Sequence, residues 1–387
     1  MRAAIDGDEP HILDQSGDPF GSRGEGKIRS SMPCTTNVGI SVLGRSPRKL
    51  VSQVSIRSSD AVHPIRLGTW PTPLEAAPRL AETLGLASKD LWIKRDDLSG
   101  LGGGGNKVRK LEWTCAAALA DGARTLVTSG AAQSNHARLT AAAGAKLGLD
   151  VVLVLSGEFN PAASGNLALD GLFGAQVIWV SNTDQQRLAD VTAVVADDLR
   201  RAGARPFVIP FGGSSPLAAQ GYAECARELL SQLSDVSTVV VALGSGATTA
   251  GLLSVLGAQR VLAVHCGALE DPHAIVTALL SDMGVDLSFA ELRLDLHQVG
   301  TGYGHVTDAT MAAMLTAART EGLILDPTYT GRAMAGLIAA IAAGDIIPGQ
   351  HTVFVHTGGM PGLFGHPHAT AQAAAAIREW PSGRTPL

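Results

Sequence analysis

Lys107 follows directly on four consecutive glycines, Gly102 to Gly105, and Asn106 in the stretch GLGGGGNKVRKLE, residues 100–112. Glycine lets a backbone approach a ligand closely and adopt dihedrals closed to other residues. A lysine amine presented from such a backbone, with little side-chain bulk around it, suits a Schiff base to a carbonyl-bearing cofactor. The phosphate-binding P-loop, G-x-x-x-x-G-K-S/T, is excluded: Asn106 separates glycine from lysine, and Val108 brings no hydroxyl for a metal ion. On this stretch alone a surface hairpin with a solvated lysine remains open.

Three further clusters could act beside it. Gln133, Ser134, Asn135 and His136 stand where a helix begins, and the first amides and dipole of a helix favour an anion such as a carboxylate. Ser134 could add a hydroxyl donor there, or serve as a plain N-cap. The segment GSGATTAGL carries Gly244, Ser245, Gly246, Ala247, Thr248 and Thr249, small and hydroxylated residues that form a nest for a phosphate. It is not the dinucleotide fingerprint, because Thr249 occupies the third glycine position. A phosphate-bearing cofactor smaller than a dinucleotide fits better, with a tight packing turn as the alternative. Tyr303 in TGYGHVTD and Tyr329 in DPTYTGRAMAGL fall in polar loops, whereas Tyr222 lies within a helical segment and is expected in the core. The Asp326-Pro327 turn places Tyr329 just before a helix. Thr357 opens a Thr-Gly-Gly turn after the last apolar strand.

The elements that must position these residues alternate from Thr69 onward. Short β-branched runs predict strands over 125–129, 151–156, 176–180, 207–211, 238–243, 260–266 and 352–356. Helical periodicity predicts helices over 135–147, 166–173, 188–202 and 217–233. This βαβ rhythm argues for an α/β protein with open parallel sheets covered by helices on both faces. Ligands in such sheets bind beyond the carboxyl ends of the strands, where every cluster above falls.

Composition narrows the class. The chain has 387 residues, 45% of them hydrophobic, enough for two domains or one large one. No run of eighteen apolar residues occurs, so no membrane span is expected. A formal net charge of −5, 4% aromatic residues and no basic stripe argue against a dedicated nucleic-acid binder. Cys34, Cys115, Cys225 and Cys266 lack metal-ligand spacing, and reduced thiols in a cytoplasmic protein are the expectation. Residues 1–64 differ, being rich in Ser, Gly, Arg and Pro, with six basic and no acidic residues between Lys27 and Ser59. That composition fits a transit peptide, an unstructured tail, or a start at Met32.

Taken together, the blocks PTPLE (71–75), IKRDDLSG (93–100), GGNKVRKLE, QSNHARLTAA, GSGATTAGL, LDPTYTG and HTGGMPGLF resemble, in order, the fold type II pyridoxal-phosphate enzymes related to 1-aminocyclopropane-1-carboxylate (ACC) deaminase and D-cysteine desulfhydrase. The resemblance covers residues 65 to about 365 and implies a tryptophan synthase β-like fold. It implies a homodimer whose subunits have a larger cofactor domain, residues 65–109 plus 216–387, and a smaller inserted α/β domain, residues 110–215. It implies pyridoxal 5'-phosphate on Lys107, with Asn106 and Thr357 close by, Asn135 on the cofactor's phenolic oxygen and Gly244 to Thr249 around its phosphate. Ser134 with Gln133, Asn135 and His136 would hold the carboxylate of a small amino-acid substrate, and Tyr303 and Tyr329 would be the active-site tyrosines. Thr330 stands where the ring-opening deaminases place a glutamate facing the pyridine nitrogen. A hydroxyl would leave that nitrogen neutral and the electron sink weaker, which favours β-elimination of a good leaving group, as from D-cysteine, over ACC deamination. The rival L-cysteate sulfo-lyase reaction would need a second anion site, for which Arg138, Arg332 and His305 are the candidates. A non-catalytic carrier of the cofactor would need only Lys107 and the phosphate loop, so Ser134 and the two tyrosines argue against it.

Overall fold

A computed structural model describes residues 62–378, apart from 163, 182 and 287–290. The expectations for residues 1–61, including Cys34, lie outside the described residues. In chain order the elements are β1 (Leu74–Ala76), α1 (Pro78–Thr83), β2 (Leu91–Lys94), α2 (Lys107–Ala120), β3 (Thr125–Ala131), α3 (Asn135–Leu147), β4 (Asp150–Ser156) and α4 (Asn166–Leu172). There follow β5 (Gln176–Val180), α5 (Gln185–Arg201), β6 (Pro206–Val208), α6 (Pro216–Gln232), β7 (Val236–Leu243), α7 (Ala247–Leu256) and β8 (Val261–His265). The last are α8 (Pro272–Asp282), β9 (Arg293–Asp295), α9 (Asp308–Glu321), α10 (Thr330–Ala343), β10 (His351–Val355), α11 (Met360–Phe364) and α12 (Pro367–Ala375).

Two sheets result. The larger has the order β1-β2-β10-β7-β8-β9 and the smaller β5-β4-β3-β6. The smaller is parallel throughout. The larger is parallel except at its edge, where the three residues of β1 run antiparallel to β2. A lone antiparallel edge strand on a parallel sheet is a common arrangement, and β1 is too short to carry a readable period. The strand expected over 207–211 ends at Val208, because Pro210 has no amide to give a ladder and Phe211–Gly213 form a helical turn. α5 begins three residues before its expected start, where the Asp184 carboxylate accepts the Arg187 amide at 2.7 Å.

Each sheet buries both faces. On β7, Val240 and Ala242 pack among Met314, Met334 and Leu337 on one side, while Val239 and Val241 face Tyr222, Leu229 and Leu252 on the other. On β4, Leu153 faces a core built with Val108, Leu111 and Leu139, and Val152 and Val154 face α5 through Leu188 and Val195. Each such side chain taken from water contributes about 1.5–3 kcal/mol before chain entropy is counted. Continuous apolar runs, in place of strict alternation, are the signature of strands covered on both faces. No helix among the described residues is long and apolar enough to cross a membrane.

Candidate active site

An open cleft is lined by residues from both sheets' connecting loops. Its floor is the turn that carries Lys107. Gly104 lies at φ +72°, and a Cβ there would stand 1.9 Å from the Asp97 carbonyl oxygen, so only glycine fits. The Gly105 amide donates to the Ser99 hydroxyl at 2.9 Å and the Asp96 carbonyl at 3.1 Å, and the Asn106 amide donates to the Thr357 carbonyl at 3.0 Å. Arg138, fully buried on α3, closes the strap by donating to the carbonyls of Gly102 and Gly104.

Behind Lys107, the Arg109 guanidinium reaches the Asp96 and Glu228 carboxylates at 2.9 Å each and lies 4.0 Å over the Trp70 ring. Lys94 pairs with the same Glu228, and the Tyr222 hydroxyl donates to Asp96. Two cations therefore meet two anions, and the α2 start is fixed in orientation without a net buried charge. Tyr222 is core, as expected, but as a polar member of this network.

The electrostatics of the cleft call for an anion. Burial brings the Lys107 amine down to about 8. One turn on, Lys110 donates to the Gly212 carbonyl at 3.0 Å and the Ser214 hydroxyl at 3.3 Å, and burial, with Lys107 beside it, holds it far below the usual lysine value. Two adjacent amines without a counter-charge resist double protonation, and an anion bound between them would reverse that. Opposite them α7 is capped by Gly246, φ +98°, and its first amides have no intrahelical acceptor. The Thr249 hydroxyl is buried there without a hydrogen-bond partner, while Thr248 accepts from the Asn106 side chain at 3.0 Å. Ser245 donates to Gly212 and accepts from Ser214 at 2.7 Å.

On the other wall Ser134 caps α3, accepting the Ala137 amide at 3.1 Å. Accepting leaves its own proton free to donate, so the capping and ligand-binding readings coexist. His136 is also fixed: Thr128 donates to the Ile209 carbonyl at 2.9 Å, so the His136 Nε2 at 3.0 Å from that hydroxyl carries the ring proton. Its Nδ1 is then an unpaired acceptor, and burial keeps the ring neutral by lowering its pKa far below the ordinary value. The Tyr303 and Tyr329 hydroxyls meet at 2.6 Å with their rings edge to face. Burial raises Tyr303 to about 12 and Tyr329 well above the ordinary tyrosine value, so both stay protonated at neutral pH. Arg332, fully buried on α10, holds the Tyr303 loop by donating to the carbonyls of Cys266, Gly302, Tyr303 and His305.

The cleft thus gathers Asn106, Lys107, Ser134, Asn135, His136, Gly244, Ser245, Gly246, Thr248, Thr249, Tyr303, Tyr329 and Thr357. Three residues expected there stand behind it. Gln133 turns away, its side chain bound to the Ser164 carbonyl and the Asn166 amide at 2.9 Å each. The Ala247 amide is taken by the Ser214 hydroxyl at 3.3 Å. Thr330 is fully buried, its hydroxyl donating to the Asp326 carboxylate at 2.8 Å, and Asp326 is the residue that lines the cleft. Sequence reasoning also missed Lys110, Phe211 and Gly212 on the wall. Lys110 had a signal, since a residue three positions after Lys107 on a helix shares its face. Gly212 had none, because only the fold brings it there.

Comparison with known proteins agrees with this geometry. Residues 65–358 match the family described as pyridoxal-phosphate dependent enzyme. A D-cysteine desulfhydrase of Salmonella schwarzengrund is 41% identical over 320 residues, 77% of this chain and 94% of the relative. One of Klebsiella pneumoniae subsp. pneumoniae is 42% identical over 316 residues, with the same shares covered. Among solved structures, an ACC deaminase homologue superposes with a TM-score of 0.73 at 34% identity, covering 81% of this chain and 96% of that one. The residues present fit pyridoxal phosphate, an aldehyde bearing a phosphate. The buried Lys107 amine, of lowered pKa, stands beside a helix start, a second lysine, Lys110, and an orphaned threonine hydroxyl.

Proposed function

The chain belongs to the pyridoxal-phosphate-dependent enzymes, of fold type II and with pyridoxal phosphate as cofactor, and from that premise we propose that it is a lyase that converts D-cysteine and water to pyruvate, ammonia and sulfide. The observation that carries this reading is the company Lys107 keeps: a buried amine, a phosphate cradle and two protonated phenols share one cleft that has no guanidinium on its wall among the described residues.

Bound pyridoxal phosphate supplies an electron sink that acidifies the Cα–H bond of an amino acid joined to it. Lys107 would hold the cofactor's aldehyde carbon. The Lys107 amine would accept the substrate's Cα proton, and its lowered pKa keeps a useful neutral fraction near pH 8. Ser134 and the first amides of α3 take the substrate carboxylate. Lys110, Ser245, Thr248, Thr249 and the start of α7 take the phosphate, and Asn106 and Thr357 brace the lysine turn between them. Asn135, on the cleft wall, would give its side-chain amide to the cofactor's phenolic oxygen. One of the Tyr303 and Tyr329 hydroxyls donates to the other, which leaves the second hydroxyl's proton free to hydrogen-bond the departing sulfur.

The alternatives fit the cleft less well. L-Cysteate would bring a second anion, yet Arg138 and Arg332 turn their terminal guanidinium nitrogens to backbone carbonyls, and neither they nor His305 line the cleft. ACC ring opening asks for a carboxylate at the pyridine nitrogen. Thr330 brings none, and the neighbouring Asp326 carboxylate is occupied by the amides of Thr328, Tyr329 and Thr330 and the Thr330 hydroxyl. A carrier would have no use for the tyrosine pair. The same reading takes residues 65–109 plus 216–387 as the cofactor domain and 110–215 as the inserted domain, the strands of the smaller sheet all falling between Thr125 and Val208. It also takes the protein as a cytoplasmic homodimer.

The test is incubation of the purified protein with D-cysteine, L-cysteine, L-cysteate and ACC in parallel. Equal amounts of sulfide and pyruvate from D-cysteine, with little product from the others, are expected. Turnover of ACC or cysteate in preference to D-cysteine would overturn the assignment.

A further inference from the structure

We propose that Asn166, at the start of α4, is a positioning residue that decides which end of the Asn135 carboxamide faces the cofactor. The hydrogen bonds leave no freedom. The Asn166 Nδ2 lies 2.9 Å from the Gln133 carbonyl oxygen, which can only accept, so that atom is the amide nitrogen and not the oxygen. The same Nδ2 lies 2.9 Å from Asn135. Having only protons to offer, it must meet the Asn135 oxygen, and the Asn135 amide group is thereby turned to the cleft as a donor. Gln133 fixes Asn166 in turn, accepting its backbone amide through Oε1 and donating through Nε2 to the Ser164 carbonyl.

Asn166 is fully buried, and its own Oδ1 has no partner. Burying an acceptor without a partner is unfavourable, so the residue is a poor choice for packing alone and a good one for its two N–H donors. What Asn135 presents to the cleft is consequently a donor, suited to an anionic or lone-pair oxygen of the bound cofactor. The inference rests on the family's cofactor and not on which amino acid is the substrate, so silence with D-cysteine would leave its test intact.

The test compares holoenzymes of the wild type, Asn135→Ala, Asn166→Ala, Asn166→Asp and the Asn135→Ala/Asn166→Ala pair, reading the visible absorption of the bound cofactor against pH and its dissociation constant. Asn166→Ala is expected to shift the band and its titration in the same direction as Asn135→Ala and to weaken cofactor binding about tenfold, roughly one hydrogen bond. The double variant is expected to match Asn135→Ala. Asn166→Asp replaces the donor by an acceptor, turns the Asn135 oxygen to the cleft and shifts the band further than the alanine does. A wild-type band in both Asn166 variants with only a lower melting temperature, or shifts that add in the double variant, would overturn the proposal. Should Asn166→Ala not fold, the band of Asn166→Asp alone decides between the two.

Discussion

A lysine amine in water keeps its proton through neutral pH, whereas burial brings the Lys107 amine down to about 8. That difference is also a stability term. Between about pH 8 and the ordinary value of 10.5 the unfolded chain holds a proton that the folded chain has released, so ΔG of unfolding rises with pH across that window. Below it the penalty is fully present, and above it the penalty is gone. The cofactor-free protein is therefore expected to gain stability on going from about pH 7 to about pH 10 relative to Lys107→Met, which lacks the group. Denaturant unfolding of both at the two pH values measures it, and parallel pH profiles would contradict the cause given for the lowered pKa. At this scale the sequence was readable where a local motif stands out: Lys107, Ser134, Tyr303 and Tyr329 all line the cleft. It was silent on Asn166, whose partners Gln133 and Asn135 lie 33 and 31 residues away. It misplaced Thr330, whose role was taken from a resemblance while its hydroxyl is engaged by Asp326, four residues before it.

The element that matters most is the turn from Ser99 to Lys107, because beyond one helical turn at Leu101–Gly103 it has no regular structure and is held by what surrounds it. Its position depends on Arg138 from α3, Thr357 from the end of β10 and the Asp96–Arg109 pair behind α2. Gly104→Ala tests that dependence. The new Cβ would fall 1.9 Å from the Asp97 carbonyl at a φ of +72°, so the turn must move. A loss of about 2–4 kcal/mol in stability is expected, from backbone strain and steric displacement together, with cofactor binding lost alongside. Thermal unfolding and cofactor titration check it, and unaltered binding would show that the turn is not rigidly placed. Glycines in a row announced an unusual backbone. The buried arginines that set it were not readable, since an arginine on an alternating helix looks the same whether it faces water or a carbonyl.

For the whole molecule, the two parallel sheets explain why clusters spread from residue 106 to residue 357 meet in one cleft: parallel strands deliver all their carboxyl ends to one side. The βαβ rhythm was legible because doubly covered strands read as continuous apolar runs, and α3 and β5 were predicted to the residue. The antiparallel edge β1 and the Lys94–Glu228–Arg109–Asp96 network were not, because three residues carry no period and ion pairs across 134 positions leave no local trace. The account stands on Lys107 as the residue that carries the cofactor. Borohydride reduction of the holoenzyme followed by mass spectrometry of its peptides tests that most directly. The pyridoxyl group is expected on Lys107 alone and absent from Lys107→Ala. Its appearance on Lys110 or any other lysine, or a trapped cofactor retained by Lys107→Ala, would contradict the account.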